Sequence, residues 1–162
     1  EIYTFDNIIS FWQFWNKYPG SETSAIFFNG ECLKYVFKEK YRIIAMNIFE
    51  KGIRPEWEDE KNKGGKVFIL EYIINSDLDT FLPLVKENWN ILICLTLGES
   101  LPSNKYINGI RFVDKTKLLG YKRIIFRFEV WVNKNITDDD VNALKTELSQ
   151  RFGCHGITVK DI

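Results

Sequence analysis

The sequence predicts an α+β fold, an antiparallel sheet with helices collected on one of its faces. Three observations carry this. In residues 122–132, Arg123, Ile125, Arg127, Glu129 and Trp131 fall on one side, while Ile124, Phe126, Phe128, Val130 and Val132 fall on the other. That alternation describes a strand with one solvated and one buried face. Residues 107–115 precede it across a loop near Gly120, which is hairpin spacing. Three further stretches, near residues 8–15, 77–97 and 138–152, read as helices from their apolar spacing and end signals.

The elements follow in order. Asp6 or Asn7 can accept the first free amides of a helix carrying Ile8, Ile9, Phe11, Trp12 and Trp15, which Pro19 and Gly20 end. Residues 20–41 have no clear period. Residues 42–49 and 65–74 read as strands. Ser76 or Asp77 caps a long helix through Leu82, Leu84, Val85 and Trp89 to about Leu97, where Gly98 ends it. Pro83 lies in or near its first turns and delays or kinks the start. Thr137 is a strong N-cap before Asp138, Asp139 and Asp140, three acids at the positive end of a helix running to Phe152. Residues 156–159 form a last short strand. The 162 residues make one domain with no internal repeat.

Composition excludes several functions. Lys+Arg and Asp+Glu number 22 each, so the chain is not a general polyanion binder, and any nucleic-acid contact must be local. Cys32, Cys94, Cys154 and the lone His155 have neither zinc-site nor disulfide-framework spacing. Reduced thiols fit the cytosol or nucleus. The longest apolar run, residues 91–97, is too short to span a bilayer. The chain opens on Glu1 rather than Met and without a targeting pattern, so it is expected to be a piece of a longer protein. No nucleophile–base pair, metal cluster or phosphate-gripping glycine loop is visible. The expectation is a binding protein rather than an enzyme, with no cofactor.

Residues 52–66 are the most informative segment. Gly52 and Pro55 shape a surface loop that carries Trp57 beside Glu58. A large aromatic there cannot easily reach the core. Indole offers the strongest cation–π face among side chains, and a carboxylate accepts two parallel donors. Guanine methylated at N7, a flat cationic ring with N1 and N2 protons on one edge, matches both. An ordinary acidic loop with one packed tryptophan is the alternative.

The run from Gly52 through Trp57 and Glu58 to Lys66 resembles the cap-binding loop of the eukaryotic translation initiation factor 4E family. Similar stretches follow in the family's order over nearly the whole chain: Phe5-Asp6 with Phe11-Trp12, residues 76–79, residues 98–100, residues 108–115, and the helix ending Arg151-Phe152-Gly153. The resemblance implies a curved antiparallel sheet with about three helices on its convex face and the messenger RNA 5′ cap on its concave face. It implies that Trp57 stacks on 7-methylguanine, that Glu58 binds the Watson–Crick edge, and that Trp131 touches the N7-methyl group. The alternative for Trp131 is a strand residue packed on its neighbours. Lys115 and Arg127 match the two phosphate-binding bases, with lysine where the family usually has arginine. Lys66 and Lys117 are weaker phosphate candidates that read more readily as solvated surface lysines.

Trp12, with Ile8 one turn before it, matches the surface that receives the Tyr-x-x-x-x-Leu helix of initiation factor 4G and of 4E-binding repressors. Its alternative is a core position. The partners implied are the 7-methylguanosine triphosphate cap and a 4G-type scaffold or repressor, with no membrane and a monomeric chain. The departures point to a divergent, protist-like member. The family's first strand and first stacking tryptophan would precede Glu1, Trp12 and Trp57 are unusually far apart, and Val67 replaces a usual tryptophan. Other readings remain: a cap-binding translational repressor, an interaction module without cap affinity, or a small-ligand carrier with an aromatic pocket.

Overall fold

The computed structural model describes residues 3–17, 44–74, 78–116, 124–154 and 156–162. Its elements are α1 (Ile8–Trp15), β1 (Ala45–Phe49), β2 (Lys66–Ile74), α2 (Leu78–Leu97), β3 (Ile107–Asp114), β4 (Ile124–Val132), α3 (Asp138–Arg151) and β5 (Ile157–Asp161), with one 3-10 turn at Asn104–Tyr106. The five strands form one antiparallel sheet in the order β1-β3-β4-β2-β5. It is curved and does not close on itself, an α+β fold with three α-helices among the described residues.

Strand parity divides the sheet. Phe68, Leu70 and Tyr72 of β2, Ile110 and Phe112 of β3, and Phe126, Phe128 and Val130 of β4 are buried on one side. Against them pack Phe11 and Trp15 of α1, Trp89, Leu92 and Ile93 of α2, and Leu144 and Leu148 of α3. Trp89 sits at the centre, with ring centroids 5.6 Å from Phe112 and 5.4 Å from Phe128. Burial of so many large aromatics supplies the main stabilising term.

Helix ends follow the sequence signals where they are described. Asn7 accepts the amide of Ser10 at 2.8 Å and starts α1. Thr137 accepts the amide of Asp140 at 3.2 Å and donates to its carboxylate at 2.7 Å, fixing the start of α3. Beyond Gly98, Glu99 adopts the left-handed conformation (φ 51°) that lets Ser100 bond back to the carbonyl of Leu95. Pro83 lies inside α2. The expected caps at Ser76 and Asp77, the stop at Pro19-Gly20, and the hairpin loop near Gly120 with Lys117 lie outside the described residues. The first strand starts at Ala45 rather than residue 42, and the last runs on to Asp161.

One expectation is corrected. The face of β4 read as solvated is buried toward its end: Glu129 is buried and Trp131 is 1% exposed. Val67 and Ile69 of β2, with Phe49 and Ile162, pack around Trp131 as a second, smaller apolar cluster on the open face. Gly109, paired with both Phe49 and Trp131, makes this possible, since a Cβ there would lie 2.4 Å from the Phe49 ring.

Candidate functional site

The loop of residues 50–65 joins β1 to β2 and is held from beneath by polar side chains. Asp59 accepts the amides of Arg54 at 3.0 Å and Lys61 at 2.9 Å. These bonds hold its carboxyl below the ordinary value of 3.8, so their contribution is complete above that pH and fades as pH falls through the lowered value. Asn62, fully buried, donates to the carbonyls of Arg54 and Glu56, both at 2.8 Å. Asn108, at the start of β3, donates to the Asn62 side chain and to the Lys61 carbonyl, both at 2.9 Å. Gly65 lies so close to β4 that a Cβ would stand 2.0 Å from the Val132 carbonyl.

This scaffold leaves Trp57 58% exposed at the loop surface, with Glu58 exposed beside it. Among the described residues Glu58 has no hydrogen-bond or ion-pair partner. Trp57 meets Trp131 edge to face, with ring centroids 6.4 Å apart and planes 65° apart. Trp131 is fixed on all sides. Its indole N–H donates to Glu129 at 3.0 Å, the ring of Phe49 abuts it at 5.7 Å, and the Arg111 guanidinium stands 5.3 Å from its centroid. Arg111 also pairs with Glu129 at 3.3 Å and donates to Asn47 at 2.9 Å. The register explains the cluster, because Asn47, Arg111 and Glu129 lie in one row across β1, β3 and β4.

The structure therefore sets Trp57 and Glu58 side by side at the loop surface, with Trp57 against Trp131 on the open face; Trp131 is itself packed on its strand neighbours, the alternative stated for it. Arg127 shares that face four residues earlier on β4, about 13 Å from Trp131 along the strand, and Lys115 lies opposite Ile125, one further pair along. Lys66 does not join them. It pairs with Val132 rather than Trp131, so strand parity turns it toward the other face, where its ammonium bonds Asp161 at 2.5 Å. Sequence reasoning missed Arg111, Glu129, Asp59, Asn62 and Asn108. Arg111 and Glu129 were visible as opposite charges in neighbouring strands, but only the register makes them meet.

On the helical side, Ile8 is 47% exposed, whereas Trp12 is half-buried, packed on the core and edge-on to Phe11 at 5.1 Å. The helix buries Phe11 and Trp15 outright and leaves Trp12 at the boundary.

Residues 1–159 match the family described as Eukaryotic initiation factor 4E. This chain belongs to that family. Among known relatives, the eukaryotic translation initiation factor 4E of Candida albicans is 25% identical over 146 residues, 90% of this chain. The factor 4E-2 of Schizosaccharomyces pombe is 34% identical over 97 residues, 59% of this chain. The chain spans 56% and 34% of those relatives' own lengths. Among solved structures, Ascaris suum eIF4E-3 in complex with the m7G cap superposes with a TM-score of 0.66 at 17% identity, covering 99% of this chain and 76% of the other. Schistosome eIF4E complexed with m7GpppG and 4E-BP gives 0.67 at 16% identity, covering 99% and 74%. Caenorhabditis elegans eIF4E-3 bound to the 4E-binding protein Mextli gives 0.67 at 18% identity, covering 98% and 78%. At these identities the superpositions establish the eIF4E fold for this chain.

Proposed function

We propose that this chain binds the 7-methylguanosine 5′ cap of messenger RNA and recruits a 4G-type scaffold to begin translation, acting as a binding factor rather than an enzyme. One observation carries the reading: an exposed Trp57 on a braced loop, next to an unpaired Glu58 and above Trp131. An indole held open to solvent, with a carboxylate one residue away, supplies a stacking face and an edge acceptor already in place, which lowers the ordering cost of binding. The cap-bound state of the Ascaris and schistosome neighbours supports the same assignment. Retention on immobilised 7-methylguanosine triphosphate, with elution by free cap analogue but not by GTP, tests it. Passage through the resin unretained would overturn it.

Phosphate contacts fall to Arg127 and Lys115. Arg127→Ala or Lys115→Ala should weaken binding of 7-methylguanosine triphosphate more than of the monophosphate and flatten the salt dependence. Titration of both ligands at two salt concentrations checks this. Equal losses for the two would assign these side chains to the fold or the base.

The partner surface is assigned to Ile8 and Trp12 on α1, across the sheet from Trp57. The neighbours bound to 4E-BP and Mextli support a partner of that kind. Trp12→Ala should abolish binding of a Tyr-x-x-x-x-Leu peptide, because buried aromatic anchors dominate such interfaces. Cap affinity should stay within about threefold, since distant sites rarely couple by more than ~0.5 kcal/mol. A large drop in melting temperature with loss of both activities would make Trp12 a core residue instead.

A further inference from the structure

We propose that Glu71 sets how strongly this site discriminates ligands by their number of phosphates, an inference that rests on the cap reading above. Glu71 of β2 is directly opposite Arg127 of β4. Its carboxylate accepts the Arg127 Nε–H at 2.7 Å, and each side chain is 31% exposed. The two border an open groove of about 250 Å³ on the open face of the sheet, walled on the far side by Thr158 and Lys160 of β5 and floored by Ile69.

Apart from this one group, the charged and polar side chains bordering the groove suit an anion. Arg127 and Lys160 present positive charge to it, and Lys160 has no ion-pair partner among the described residues. Thr158 adds a hydroxyl. Every other β2 residue of this face, Val67, Ile69 and Ile73, is apolar. A carboxylate there has two effects. It takes the Nε edge of Arg127 and so holds the guanidinium in place, leaving the terminal nitrogens for a ligand. It also cancels about one positive charge where the outer phosphates of a triphosphate would lie, and each added phosphate is correspondingly less favoured.

Glu71→Gln removes the charge and keeps an acceptor for Arg127, on a partly exposed side chain of equal size. Titrated with 7-methylguanosine mono- and triphosphate, Glu71→Gln should bind the triphosphate about fivefold tighter than the wild type does. The gain for the monophosphate should be smaller, and the salt dependence of triphosphate binding steeper. A structural role alone would move both ligands together and leave the salt slope where it was. Equal triphosphate affinity in the two proteins, or equal gains for both ligands, would overturn the proposal while the cap reading stands. A wild-type protein that binds neither ligand overturns both.

Discussion

Replacing Trp57 with alanine should weaken binding of 7-methylguanosine triphosphate about thirtyfold while the melting temperature stays near that of the wild type. The two halves of this expectation come from one fact: Trp57 is largely exposed and holds little of the fold together. Stacking on a cationic ring is worth roughly 1–3 kcal/mol, with the cation–π term included. A loss of about 2 kcal/mol lowers affinity about thirtyfold. Glu58→Ala should cost a similar amount, because the guanine N1 and N2 protons would then be desolvated without an acceptor. Fluorescence titration and thermal melting, run on the same preparations, separate the two halves. A folded Trp57→Ala protein that still binds the methylated cap like the wild type would sink the site assignment.

Asn62→Ala should damage both fold and function, although Asn62 is fully buried under the loop. Its carboxamide donates to the carbonyls of Arg54 and Glu56 and accepts from Asn108. Alanine leaves two carbonyls and one amide without these partners. At about 1 kcal/mol or more each, the cost is about 3 kcal/mol, or about 10 °C in melting temperature for a chain of this size. Cap affinity should fall too, because residues 54–61 carry Trp57 and Glu58 and lose their brace. A melting curve decides: no shift for Asn62→Ala would mean that the loop is held in place by its backbone turns alone.

The sequence disclosed what depends on local chemistry. Asn7 and Thr137 were readable as caps because a short polar side chain before an apolar period does that job in any fold. The alternation of residues 124–132 gave a strand and the correct core face. Trp57 was legible as an exposed residue because Gly52 and Pro55 surround it with turn chemistry. What was not legible depends on which strands become neighbours. Strand order β1-β3-β4-β2-β5 places Phe49 and Val67 on either side of Trp131, and only then does the apparently solvated face of β4 become buried. The pairing of Glu71 with Arg127 and of Arg111 with Glu129 requires the register, which alternation alone leaves free by two residues. Lys66 sits one residue from Val67, and that single step carries it away from the site. Asn62 read as one more polar residue of an acidic loop. Its burial follows from Asn108 reaching up from β3, a contact across 46 positions.

The central claim is that Trp57 and Glu58, on a loop seated against the buried Trp131, recognise a methylated, positively charged guanine and not guanine in general. The ratio of dissociation constants for GTP and 7-methyl-GTP tests it most directly, because the two ligands share phosphates, ribose and Watson–Crick edge and differ by the methyl group and its charge. A cation–π contribution of about 1–2 kcal/mol predicts that the methylated nucleotide binds about tenfold tighter or better. Equal dissociation constants for the two would contradict the account.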